Sequence, residues 1–357
     1  AYLDTGSDYN TITLSTVTSA VLGYSVVNSS SNRLFSSYIQ ASTAAYISGS
    51  TGTWIGGTIL VSTNTSGNAL QLDKGSVGLT LSSSTLRAPS AGIGLYLDRS
   101  NSGLIVISTN IFQPGARTGL YIATQTAGTL IWVTSNTISV STGTSATYGI
   151  RAVGLRSGAT IQNNGIYYRT VGGMAGANTY GFYAQTSAGI KFDRNRINNP
   201  GMIRGTGSVY SAYLTDADQI SFTYNDVHST GTPVANAYLL RLGEASGGVT
   251  VANNVFSSSF SGVTVASHTL AVLDVGSQTG FKADYNDYHS SNSALSFLWG
   301  GQDLTGVASW NAVTFRDGNS ISVFPEWPGL SAGSEDFHPR STTGRFKPVT
   351  QTFTYDT

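Results

Sequence analysis

The chain has no cysteine in its 357 residues, which removes disulfides, thiolate metal ligands and a cysteine nucleophile. Charge is also scarce. Asp, Glu, Lys and Arg make up 10% of residues, and the 18 acidic and 18 basic side chains cancel. An ordinary globular protein carries roughly 25% charged residues. No basic footprint exists for nucleic acid or anionic lipid, so no nucleic-acid partner is expected. No apolar run approaches the roughly 20 residues of a membrane helix, so no membrane insertion is expected. The chain opens at Ala1 without Met and without a charged segment leading into an apolar run, and is expected to be a mature or excised piece of something longer. Freedom from cysteine fits bacterial extracellular or cell-surface proteins, and that is the localisation expected.

What is present is a repeat. An apolar-x-apolar-x-x-Asn-x-apolar pattern runs through Ile105, Ile107, Asn110 and Phe112, and again through Ile131, Val133, Asn136 and Ile138. It returns at Asn164, Asn195, Asn225, Asn254 and Asn286. Upstream, Ile59 and Val61 lead to Asn64, and Leu79 and Leu81 lead to Ser84 in the same place. Steps drift from 20 residues (Asn64 to Ser84) to 32 (Asn254 to Asn286), and every apolar segment alternates with period two. Helical solenoids hold their period more tightly and carry a 3.6-residue pattern, so they are disfavoured.

A second strand precedes most motifs by about a dozen residues, as in Leu95 to Leu97, Leu120 to Ile122 and Phe182 to Ala184. Strands this short are stable only when each coil stacks on the next. The expected fold is all-β, a right-handed parallel β-helix with an asparagine ladder. The ladder comprises Asn64, Ser84, Asn110, Asn136, Asn164, Asn195, Asn225, Asn254 and Asn286. Asparagine suits the corner because it tolerates a left-handed backbone, and its amide can bond the equivalent amide above and below. Residues 1–58 are expected to form opening coils or a cap, 59–298 the regular coils, and 299–357 a closing coil and tail. Loops around Gly172–Asn178 and Pro200–Gly205 are expected to protrude, and the stretch Thr350–Thr357 reads as an alternating tail without a closing helix.

Residues Tyr285–Ser291, the stretch around Trp310, Asp317–Ile321, Phe324, Pro325 and Asp336–His338 look like the last coil of a known family. On these and the repeat, the chain resembles the right-handed β-helix repeat family of bacterial secreted and surface proteins over roughly residues 59–350. The usual serine-proline-alanine-like continuation is missing. The resemblance implies a fold more than an activity, since such relatives include polysaccharide lyases, glycan hydrolases, adhesins and surface proteins of no known activity.

Glycan cleavage on such a scaffold needs carboxylates, or a basic group, clustered on adjacent coils of one face. The outward column two places before the ladder holds only Asp193 and Asp284, three coils apart. The alternative catalytic set is Asp226 and His228 with Asp287 and His289, equivalent places two coils and about 10 Å apart. That is too far to share a metal, and solvated residues flanking a corner is the blander reading. No catalytic residue, metal or cofactor is therefore assigned. A candidate ligand or assembly surface is the outward row Tyr96, Tyr121, Arg151, Tyr183 and Tyr213, begun by Gln71. Such a row can stack on sugar rings, pack against a neighbouring molecule, or be covered by the chain itself. The expected function is a non-enzymatic structural or adhesive module of a larger surface protein or a self-assembling filament. Its partners are copies of itself or adjoining modules, with glycan as a further partner. The alternatives are a polysaccharide lyase or glycoside hydrolase, and a glycan-binding module, on the same fold.

Overall fold

The computed structural model describes residues 1–113, 115–141, 145–156, 158–169, 177–199, 207–231, 236–260, 267–291 and 295–325, and the backbone of 345–347 and 352–354. Short strands wind into three long sheets, here A, B and C, of 13, 11 and 11 strands. Each turn of chain gives one strand to A, then B, then C, and each strand pairs in parallel with its equivalents one turn before and after. This is a parallel β-helix.

Alternation decides what faces inward. In Val77–Ser82, Leu79 and Leu81 are buried while Thr80 and Ser82 point out. Stacking in register then turns each inward position into a column, such as Leu81, Ile107, Val133, Ile161, Phe192, Phe222 and Val251, all fully buried. Toward the C-terminal end the core becomes aromatic. Phe192, Phe222, Phe256 and Tyr288 follow one another at ring separations of 5.2, 6.1 and 5.5 Å. Burying these columns is what offsets the entropy of ordering so many two- to seven-residue strands.

The sheets begin at Tyr2–Leu3, Thr11–Thr13 and Thr16–Thr18 and cross residue 58 without a break. At the other end, Gln302–Thr305 folds back antiparallel on Ser296–Trp299. The helix Gly306–Thr314 follows, an element not named in the closing coil expected over 299–357. Its apolar residues Val307, Trp310 and Val313 recur at helical spacing and pack on the core. Trp310 is fully buried against Phe281, Phe297 and Trp299, so the helix closes the end of the core. Asp317 fixes it there, accepting from Trp310 Nε1 at 2.9 Å, Tyr288 OH at 2.6 Å and Asn286 Nδ2 at 3.1 Å. Most of the loop Gly172–Asn178, all of Pro200–Gly205 and the Asp336–His338 segment lie outside the described residues.

Candidate functional site

The corner between sheets B and C carries the ladder. Asn110, Asn136, Asn164, Asn195, Asn225, Asn254 and Asn286 are each at most 1% exposed and form one line. Each Oδ1 from Asn136 to Asn286 accepts the backbone N–H of the preceding corner at 2.8–3.0 Å. Each Nδ2 donates to a strand carbonyl of the previous turn, such as Leu81, Ile107 or Val133. Ser84 continues the line, its N–H donating to Asn110 Oδ1 and its Oγ accepting from Thr58 N.

Two expectations are corrected here. Asn64 is exposed and lies on the turn after Ile59–Ser62, a strand of sheet C, while Thr58 occupies the ladder place. The alternating triplet Ile59 to Val61 was read one face out of place: Leu60 is its inward residue, and Ile59 is 43% exposed. The left-handed backbone belongs to the residue before the ladder rather than to the asparagine. Thr109, Ser135, Asn163, Arg194, Tyr224, Asn253 and Tyr285 have φ between 53° and 57°. The asparagines are thus required for their amides, and the αL residue carries the bend.

On sheet A the predicted row is in register: Gln71, Tyr96, Tyr121, Arg151, Tyr183 and Tyr213, continued by Arg241. Beside it runs a second column that the sequence reading missed, Tyr148, Tyr180, Tyr210, Tyr238 and His268. Its rings stack at 4.9, 4.9, 5.4 and 5.6 Å with interplanar angles of 5–10°. Successive Tyr residues two places before an inward residue were a signal in the sequence, but the variable loops hid their common register. Arg151 lies over Tyr121, Tyr148 and Tyr183 at 4.9, 4.8 and 5.9 Å, and Arg241 over Tyr210, Tyr213 and Tyr238 at 5.5, 4.8 and 5.2 Å. Burial pushes the hydroxyls of Tyr180 and Tyr183 up to about 12. Ring faces in these columns are taken by one another and by guanidinium groups, so little open face remains for a sugar ring.

On sheet C, Asp226, Val255 and Asp287 share one column, and His228, Ser257 and His289 the next. The paired residues are therefore two turns apart, each pair separated by Val255 or Ser257, and the structure does not bring them together. His228 is 3% exposed, and burial first, then the charge of His289 two turns on, pushes its pKa down to about 4. Burial also lowers His289. Burial pushes Asp287 up to about 6 although it accepts from Val323 N–H at 2.9 Å. Asp226 faces Arg196 at 3.9 Å, and the Phe324 ring stands 4.9 Å from His289. Among the described residues no group of three His, Asp or Glu side chains could hold a metal ion.

A third surface was legible but not singled out. Trp132 sits between the inward Ile131 and Val133, and is 52% exposed on the outer face of sheet B. Against this geometry, comparison with known protein families, curated proteins and solved structures finds no match for the chain.

Proposed function

We propose that the chain is a non-enzymatic structural and adhesive rod, a module of an extracellular or cell-surface assembly. The observation that supports this most directly is the use of its recurring polar and aromatic side chains. The amides of the ladder and the stacked rings of sheet A bind their own equivalents one turn away, and Arg151 and Arg241 lie over tyrosine rings of the turn before, which stiffens the rod. Association with copies or adjoining modules fits the apolar side chains left outward on sheet C, such as Ile59 and Ile111, 43% and 50% exposed in one column.

The second reading, polysaccharide cleavage, draws on Asp287, a carboxyl held near neutrality beside an imidazole column. The deciding measurement is release of reducing ends or unsaturated sugars from acidic and neutral polysaccharides, run beside sedimentation velocity over a range of concentrations. A rod that associates and releases nothing supports the module. Turnover that disappears in Asp287→Asn overturns it in favour of the enzyme.

A further inference from the structure

Sheet B carries aromatic side chains of a different kind from those of sheet A. In one outward column, successive turns place Trp54, Thr80, Val106, Trp132 and Thr160 above one another. The two indoles are three turns apart, about 14 Å at the ~4.8 Å spacing of stacked strands. Leu104 and Leu130 pair next to Val106 and Trp132 and are 46% and 56% exposed. On the other side Ser82, Ser108 and Thr134 form a parallel row of half-buried outward hydroxyls.

Trp132 is open where the tyrosines are closed. Trp132 has no ring or guanidinium partner among the described residues. Trp54 is braced from the side, with Phe35 edge-on at 5.0 Å and its Nε1 donating to Ser82 Oγ at 3.4 Å. The Arg33 guanidinium, from the turn before, lies over its ring at 5.5 Å. A depression of about 210 Å³ opens beside Trp54, lined in part by Thr80 and Leu104, so the column and its flank form one continuous surface.

The chemistry of this surface selects its occupant. Between Trp54 and Trp132 the column contains no charge; its cations stand beyond the two ends, Arg33 one turn before Trp54, where it also lines the depression, and Lys191 two turns beyond Trp132. An acidic ligand would find counter-charge only at the Arg33 end and none along the strip. The strip is about 14 Å long and one strand wide, far below the ~800 Å² that each partner contributes to a stable protein interface. What fits is a ligand with apolar C–H faces and hydroxyl edges, extended, uncharged and narrow.

We propose that the outer face of sheet B between Trp54 and Trp132 binds a neutral glycan chain laid along the solenoid axis. Trp132 and Trp54 stack on two of its rings, and the Ser82, Ser108 and Thr134 hydroxyls meet its hydroxyl edge. This rests on the reading of the chain as an adhesive module and gives that adhesion its ligand class.

The test is calorimetric titration of the full chain with four neutral oligosaccharide series: β-1,4-linked glucose, xylose and N-acetylglucosamine, and α-1,4-linked glucose. Polygalacturonate serves as the charged comparison. At least one neutral series is expected to bind and to perturb tryptophan fluorescence. Trp132→Ala should weaken that binding at least tenfold, Trp54→Ala several-fold, and Tyr224→Ala on the exposed corner not at all. Circular dichroism checks that each variant is folded. Absence of binding by all four series, binding unchanged in Trp132→Ala, or preference for polygalacturonate overturns the proposal. So does a Trp132→Ala variant whose only change is loss of self-association, which would make the strip a contact between copies. Turnover of a bound chain would instead overturn the non-enzymatic reading and leave this site standing.

Discussion

Asn195 Oδ1 accepts two hydrogen bonds from Asn164, one from the backbone N–H at 3.0 Å and one from the side-chain Nδ2 at 2.9 Å. Its own Nδ2 then donates to the Ile161 carbonyl at 2.9 Å and to Asn225 Oδ1 at 3.3 Å. One amide therefore satisfies buried groups on the turns before and after it. Removing it in Asn195→Ala strands donors that water cannot reach, at a cost of roughly 1–3 kcal/mol. Asn64→Ala removes an exposed side chain outside the ladder and is expected to change stability by less than about 0.5 kcal/mol. Thermal or urea unfolding of both variants checks the pair, and equal effects would show that the register is wrong.

The left-handed residues before the ladder make the opposite kind of prediction. Tyr285 is 60% exposed and has φ of 57°, a conformation costing a side chain about 1–2 kcal/mol that glycine escapes. Glycine gives back part of that gain through its greater freedom in the unfolded chain. Tyr285→Gly should therefore stabilise the protein by about 0.5–1 kcal/mol, measured as a raised urea midpoint at unchanged slope. A destabilised variant would mean that the tyrosine ring, not the backbone, secures that corner.

Buried His228 and half-buried Asp287 on sheet C oppose each other in acid. His228 is depressed to about 4, so between its unfolded value near 6.5 and 4 the unfolded chain binds the extra proton. Its contribution is complete above pH 6.5 and is lost as pH falls toward 4. Asp287 is raised to about 6, so between about 4 and 6 the folded chain holds the extra proton and acidification favours folding. Urea titrations at pH 7.5 and 4.5 should show His228→Gln flattening the acid loss and Asp287→Asn steepening it. Parallel pH profiles in all three proteins would show that neither group is shifted by folding.

On sheet A, Arg151 stands against three tyrosine rings at 4.8–5.9 Å. Partly desolvated contacts of this type contribute about 1–2 kcal/mol in total. Arg151→Ala should lower stability by that amount and reduce the near-ultraviolet circular dichroism of the tyrosine column. An unchanged melting temperature would show the guanidinium to be solvated and free of the rings.

The ladder was readable because its requirement is local and recurs. An inward apolar pair, a bend and an amide that bonds its copies need the same residue types at the same spacing, so the asparagines from Asn110 to Asn286 stand out as a series. Asn64 was misplaced because Ile59 to Val61 alternates just as a sheet B strand does, although it belongs to sheet C. A triplet of alternating residues carries no mark of which face of the coil it occupies. Tyr148, Tyr180, Tyr210 and Tyr238 each stand two places before an inward residue, but loops of unequal length hid that these places share one column.

By itself, then, the sequence determined that the chain is a stacked β-solenoid with an amide corner, since period-two strands, drifting loop lengths and scarce charge admit little else. Only the tertiary structure decided which strand joins which sheet, that the sheet A tyrosines fill one another's faces, and that Trp54 and Trp132 stand in one open column. The reason is physical. Register between neighbouring turns is fixed by packing and hydrogen bonds between residues 20 to 35 positions apart, across loops of unequal length. A column on the outer face exists only once every turn has settled onto the one before it.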